Sequence, residues 1–147
     1  MKRTLFLTFL VFTIATFIYA KGPMDKISLT TPAGQTIELT NRTLIEPISM
    51  AALEKFPKSI AQPDVIGKGY ELARAFKDGN RYIIFDRVRY YPAGERGYVF
   101  YMGIENGWSE YDGKWFEASA EGVATMNKII SGIKPLTLSS RLSVWAE

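Results

Sequence analysis

The chain has 147 residues, a formal charge of +3 at pH 7, and neither cysteine nor histidine. These absences exclude Ser-His-Asp and Cys-His nucleophiles, disulfides, and zinc sites built from thiolate or imidazole ligands. Phosphate-cradling glycine motifs and clustered basic runs are also missing, so the sequence predicts no cofactor and disfavours nucleic-acid binding.

The first twenty residues resemble a secretory signal peptide. Lys2 and Arg3 precede an uncharged, mostly apolar run, residues 4–20, which ends in the small residue Ala20. Such a run also reaches the lower length limit of a membrane-spanning helix, about 17 residues, so an uncleaved anchor is the alternative. In either case the domain faces outward, and if the segment is not cleaved, only residues 4–20 contact the membrane. Cleavage would remove Lys2 and Arg3 and lower the formal charge from +3 to +1.

The next segment predicts a hairpin and then a helix. Alternating apolar residues flank the turn Pro32-Ala33-Gly34, which is typical of a β-hairpin. Pro47 suits the first position of a helix that ends at Pro57. A helix capped by Thr43 would instead place Pro47 in its interior, where proline clashes with the preceding turn, so the later start is preferred.

The second half of the chain is rich in β-strand patterns. Asp78-Gly79-Asn80, Asn106-Gly107 and Asp112-Gly113 predict turns between them. The predicted strands are Tyr70–Lys77, Arg81–Tyr91, Tyr98–Ile104, Trp108–Tyr111 and Lys114–Ala118. Ser119 then caps a predicted helix over Ala120–Ser131 with an apolar stripe.

The order ββαββββ(β)α predicts a single α+β domain with a mainly antiparallel sheet packed against two helices. We assign residues 1–20 to the targeting segment, residues 21–134 to the exported domain and residues 135–147 to a C-terminal tail. The second face of the sheet would be exposed or curled into a groove, where a ligand site is sought.

The charged strand around Asp86 gives the first site hypothesis. If Asp78-Gly79-Asn80 is a three-residue loop, Lys77 pairs with Arg81, and Arg74 and Asp86 become diagonal neighbours on an apolar face that includes Tyr82 and Ile84. The two charges then form either a buried pair that fixes register or the polar centre of a small-ligand pocket.

Arg87 and Arg89 point to the opposite side of the same strand, where the predicted register sets Glu71 across from Arg87. They could hold a phosphate or carboxylate, because guanidinium groups present a forked set of donors. A solvated face partly neutralised by Glu71 is the alternative.

The aromatic residues between Tyr90 and Phe116 form either core or a ligand platform. The candidates among them are Tyr91, Trp108, Tyr111 and Trp115, with Trp108 and Tyr111 expected to be exposed.

Acidic residues near the tight turns give a weaker catalytic hypothesis. Two carboxylates at a suitable separation can cleave glycosidic bonds, and the candidates are Asp86, Glu110 and Asp112. Wet, acidic turns at a sheet edge are the alternative explanation. Since the spacing lacks the oxygen ladder of a calcium loop, we predict no metal site.

Two blocks, "FDRVRYYP" and "NGWSEYDGKW", carry a resemblance to a known family. The chain from Ile27 to Ser131 resembles a family of small exported bacterial proteins, mainly Bacillus-like, that share FDRxRYYP and NGxSEYDGKW blocks. The resemblance implies an exported single domain and adds no catalytic residue.

The sequence therefore predicts a secreted or membrane-anchored domain of the bacterial cell envelope that binds a ligand without catalysis. The ligand would be a cell-wall polymer, a peptide or a partner protein. A carboxylate-dependent hydrolase acting on envelope glycans is the alternative. A structural partner module anchored by residues 4–20 is a third possibility.

Overall fold

A computed structural model describes residues 24–48, 58–64 and 67–133. The predicted targeting segment, most of the first predicted helix and the predicted tail lie outside the described residues. Six strands form one antiparallel sheet in the order β2-β1-β3-β4-β5-β6. The strands are β1 (Lys26–Thr30), β2 (Thr36–Leu39), β3 (Tyr70–Asp78), β4 (Arg81–Ala93), β5 (Arg96–Ile104) and β6 (Trp115–Glu117).

The described residues also contain two helices: α1 (Arg42–Ile45), which runs into a 3-10 turn over Glu46–Ile48, and α2 (Ala120–Gly132). The predicted α+β class with a mainly antiparallel sheet is confirmed. Among the residues described, no helix is long and apolar enough to cross a membrane.

The hydrophobic core lies between the helices and one face of the sheet, which we call the inner face. The apolar stripe of α2 contributes Met126 and Ile129, and the 3-10 turn contributes Ile48. Alternate strand residues supply the rest, as expected for a sheet with one covered face. The buried core residues are Ile27, Leu29, Ile45, Ile48, Leu72, Val88, Tyr90, Val99, Tyr101, Phe116, Met126 and Ile129.

Capping residues explain where the helices begin. The Ser119 hydroxyl accepts the Gly122 N–H at 3.0 Å, which confirms the predicted start of α2. The helix predicted from Pro47 to Pro57 lies outside the described residues beyond Ile48, and α1 is an earlier helix that was not predicted. Asn41 is the N-cap, and its side chain accepts the Thr43 N–H at 3.0 Å. Pro47 is accommodated because it lies in the 3-10 turn that follows, rather than in the α-helix.

The predicted register of β3 on β4 is also wrong, for two reasons. The hairpin loop has two residues, Gly79 and Asn80, so Asp78 rather than Lys77 pairs with Arg81. A β-bulge at Phe85 then adds one residue to β4, because Ala75 pairs with Ile84 whereas Arg74 pairs with Asp86.

The bulge decides which side chains share a face. It sets Arg74 directly opposite Asp86 on the inner face, instead of diagonally. It also moves Tyr82 and Ile84 to the other side of the sheet, the outer face, because a one-residue slip reverses the alternation.

A second bulge lies in β5. Val88 pairs with Tyr101 and Arg87 with Gly103, so Met102 is the extra residue, and Gly103 has a positive φ of 137°.

The predicted strand Trp108–Tyr111 is wrong, since that segment forms turns. There the Asp112 carboxylate accepts the Ser109 N–H at 3.1 Å, so a side chain rather than a neighbouring strand satisfies this backbone donor.

Candidate functional site

The Arg74–Asp86 pair lies on the inner face, at the centre of the fold. Both side chains are 0% exposed, and two parallel bonds of 2.6 Å join Arg74 Nε to Asp86 Oδ1 and Arg74 Nη2 to Asp86 Oδ2. The Tyr101 hydroxyl donates to Asp86 Oδ2 at 3.0 Å, and the Tyr101 ring lies 6.0 Å from Arg74 Cζ. This bidentate, desolvated geometry is that of a structural ion pair.

Burial has a marked effect on the tyrosine of this cluster. It raises the pKa of the Tyr101 phenol, and the neighbouring negative charge of Asp86 raises that pKa further. The phenol therefore remains protonated and keeps donating to Asp86. Arg74 and Asp86 were predicted to bind a ligand, but neither side chain is accessible to one in this structure.

The outer face carries a different set of residues, aligned in one row across all six strands. Successive register pairs join Thr36 to Thr30, Thr30 to Glu71, Glu71 to Arg89, Arg89 to Phe100, and Phe100 to Trp115. We call these six residues the outer row. They come from widely separated parts of the chain and become neighbours through antiparallel pairing alone.

Charges on the outer face form a ladder of ion pairs. Glu71 contacts both Arg87 at 3.2 Å and Arg89 at 3.3 Å, and Arg87 Nε reaches Glu105 at 3.1 Å. About a third of each of these side chains is exposed, except that Glu105 is more open. The hydrogen bond to Glu105 is the main reason that the pKa of Arg87 is raised. The ladder agrees in part with both sequence hypotheses for Arg87 and Arg89. The two arginines are partly neutralised by Glu71, and they are still accessible to an anion.

Three aromatic rings lie beside the ladder. Trp115 packs against Tyr91 at 5.2 Å and Phe100 at 5.0 Å between ring centroids, with tilted planes. The segment before β3 also contacts this edge of the sheet, since the Ile60 N–H donates to the Trp115 carbonyl at 2.8 Å. The rings therefore form a fixed apolar patch next to the ladder.

An open cleft of about 370 Å³ adjoins the ladder at the end of the sheet. We call it the Lys68 cleft. Its walls are the turn after β1, the loop that leads into β3, and the outer face of β3 and β4. The polar and aromatic residues that line it are Thr30, Thr31, Lys68, Glu71, Arg89 and Tyr91.

The structure brings together four of the predicted ligand-binding residues and separates the other four. Arg87, Arg89, Tyr91 and Trp115 share the outer face, whereas Arg74 and Asp86 are buried on the inner face.

The two turn aromatics differ from each other. Trp108 is 79% exposed, as expected. Tyr111 is only half-buried rather than exposed, and its ring packs edge-on against Tyr101 and Phe116. The expectation that Tyr111 belongs to an exposed platform is therefore wrong, because its ring closes the core beside the buried pair.

Three of the four acidic residues near the turns, including the candidate Asp112, have separate local partners. Glu105 binds Arg87, Asp112 accepts a backbone N–H, and Glu117 binds Arg96 at 2.7 Å, which lowers the pKa of Glu117. Glu110 is exposed. Across residues 24–48, 58–64 and 67–133, no group of three or more acidic side chains could hold a metal ion.

Sequence reasoning missed Lys68 and the glycines around it. "GKG" at residues 67–69 directly precedes β3, and a lysine between two glycines is a recognisable signal of an exposed amine on an unusual backbone. Both glycines have positive φ, 85° at Gly67 and 69° at Gly69.

Comparisons with protein-family models, with curated proteins and with solved structures gave no significant match. The resemblance to small exported bacterial proteins consequently stays a prediction.

Proposed function

We propose that this protein is an exported, envelope-associated module that binds a cell-wall polymer on the outer face of its sheet, without catalysis. One observation carries the proposal. The outer face places an aromatic patch, the two partly exposed arginines Arg87 and Arg89, and an open cleft side by side, opposite the helices.

The composition of this surface suits a polar polymer. Phe100 and Trp115 are half-buried and offer flat apolar rings, on which the C–H faces of a sugar can stack, whereas the buried Tyr91 ring packs against Trp115. The ladder offers donors and acceptors that fix orientation, which is the usual division of labour in a binding site. The predicted signal peptide would deliver the domain to the compartment that contains such a polymer.

Sedimentation of the full-length chain with isolated cell-wall sacculi, at low and high salt, tests this proposal. We expect the protein to pellet, and we expect the pelleted fraction to fall when Arg87 and Arg89 are both changed to glutamine, because the cationic part of the surface is then lost. Lys128→Gln is the matched control, since Lys128 is an exposed cation on helix α2.

Protein that stays in the supernatant at both salt concentrations would overturn wall binding and turn the search to peptides and partner proteins. Release of new reducing ends from labelled wall fragments would instead favour the alternative hydrolase, in which Glu110 and Asp112 remain candidates, whereas the third candidate, Asp86, is buried.

A further inference from the structure

The Lys68 cleft has an excess of positive charge close to an accessible backbone. Lys68 is exposed and forms no ion pair with the described residues, and Arg89 contributes a second positive charge. Glu71 is the one acidic residue among those that line the cleft, so the lining has a net positive charge.

Arg89 retains donors for a ligand. Within the described part of the chain its guanidinium makes one ion pair, through Nη2 to Glu71 at the long distance of 3.3 Å. Its Nε and Nη1 are therefore left to donate to a ligand, and Arg89 is one of the residues that line the cleft. A guanidinium presents these donors in a fixed fork, which matches the oxygens of a phosphate or carboxylate.

Gly69 holds Arg89 and Tyr91 in place. A Cβ atom at this position would lie 2.9 Å from Arg89 Cγ and 2.9 Å from Tyr91 Cε1, so the two side chains pack directly on the glycine backbone. Since this packing restricts the side chains before a ligand arrives, less conformational entropy is lost on binding.

The loop and the turn supply further neutral donors. The N–H groups of Gly67 and Lys68 form no hydrogen bond with the described residues, and a Cβ atom on Gly67 would meet nothing within 4 Å, so this backbone is open to approach. The Thr31 hydroxyl oxygen accepts the Gln35 N–H at 3.1 Å, and its own hydrogen is left to donate. Backbone N–H groups beside cationic side chains are a common means of anion recognition.

We propose that the Lys68 cleft binds the anionic group of the ligand, a phosphodiester or a carboxylate, with Lys68 and Arg89 as the charged donors. In naming a wall polymer as the source of that group, the inference rests on the proposed function. The existence of an anion site does not.

Titration of the full-length chain with inorganic phosphate, and separately with acetate, tests the site by following backbone amide resonances. We expect the largest shifts at Gly67, Lys68 and Gly69. Lys68→Gln should weaken phosphate binding by about tenfold, because a charge-assisted hydrogen bond is lost, whereas the control Lys128→Gln should leave it unchanged. Equal binding by the Lys68→Gln variant and the unchanged chain, or shifts spread evenly over all cationic residues, would overturn the proposal.

Pelleting with intact sacculi and with sacculi stripped of phosphodiester polymers then identifies the source of the anion. Loss of pelleting on stripped sacculi indicates a phosphodiester, and retained pelleting indicates a carboxylate of the wall itself. The two proposals fail in different ways. Phosphate binding without pelleting would overturn the wall ligand and keep the anion site. Pelleting that is unaffected by Lys68→Gln would keep the wall ligand and overturn the role of the cleft in binding it.

Discussion

The same two strands carry two arginine–carboxylate systems with opposite properties. On the inner face Arg74 and Asp86 are 0% exposed and are joined by bonds of 2.6 Å. On the outer face Glu71 joins Arg87 and Arg89 at 3.2 and 3.3 Å, and about a third of each side chain remains in contact with solvent. Strand alternation separates the two systems by a single residue step, from Asp86 to Arg87.

The difference shows that burial decides the role of a charged pair. A buried ion is costly when its partner is removed, because a desolvated charge is left behind. An exposed pair is weak, because water and salt screen both partners, and its donors can be transferred to a ligand at little cost. We therefore assign stability to the inner pair and recognition to the outer ladder.

The largest expected effect comes from breaking the inner pair. Asp86→Asn should lower the free energy of unfolding by about 3–5 kcal/mol, because the buried Arg74 then loses the charge of its bidentate partner. Urea unfolding measures the change, and Glu105→Gln on the outer face is the control, with an expected loss below about 1 kcal/mol. An Asp86→Asn protein as stable as the unchanged chain would refute the structural role.

The next largest effect should come from the glycine beneath the outer site. Gly69→Ala introduces contacts of 2.9 Å at a φ of 69°, and we expect a loss of about 2–3 kcal/mol together with weaker phosphate binding. Gly34→Ala is the matched control, since Gly34 has a φ of 85° and open space around it. If the two variants lose the same stability in thermal unfolding, packing on Arg89 and Tyr91 is unimportant.

The inner cluster should also respond to alkaline pH. The pKa of Tyr101 is raised in the folded state, so its contribution to stability is full below the unfolded-state value of about 10. Above that pH the unfolded chain loses the proton first, and stability should fall by about 1.4 kcal/mol per pH unit. Tyr101→Phe should flatten this slope in urea titrations at pH 9 to 11. An unchanged slope would show that other groups cause the loss.

The smallest stability effect is expected for Glu71→Gln, which tests the outer ladder in the way that Asp86→Asn tests the inner pair. The free energy of unfolding should change by less than about 1 kcal/mol, because the ion pairs of Glu71 are partly solvated. Phosphate and sacculi should bind more tightly, since Arg89 loses its ion pair with Glu71 and Arg87 keeps only Glu105 among the described residues. A large loss of stability with unchanged binding would reverse the roles assigned to the two faces.

Local patterns predicted much of the fold. The period-two alternation around Ile27 and Ile37, the turn at Gly79, and the capped amphipathic stretch after Ser119 are each short-range signals, and the corresponding elements are present. The bulge at Phe85 carries no such signal, because neither glycine nor proline marks it. The predicted register was wrong partly for that reason and partly because the hairpin loop has two residues rather than three.

The candidate site was predictable only in part. Arg87, Arg89 and Tyr91 share a face by alternation within one strand, which the sequence shows directly. That Trp115 lies beside Tyr91 depends on two successive strand pairings. The Lys68 cleft depends on the pairing of β1 with β3, which joins segments that no local pattern connects.

That pairing also has a kinetic consequence. Strands β3, β4 and β5 follow one another through short turns, so their contacts are local, whereas β1 can reach β3 only after the chain of residues 40–69 has closed into a loop. Because loop closure costs entropy before any contact compensates for it, we expect the three-strand meander to form first and the β1–β2 hairpin to dock last. Pulse-labelled hydrogen exchange should then protect the amides of Val88 and Tyr101 before those of Ile27 and Leu29. The walls of the Lys68 cleft would meet in the final step of folding.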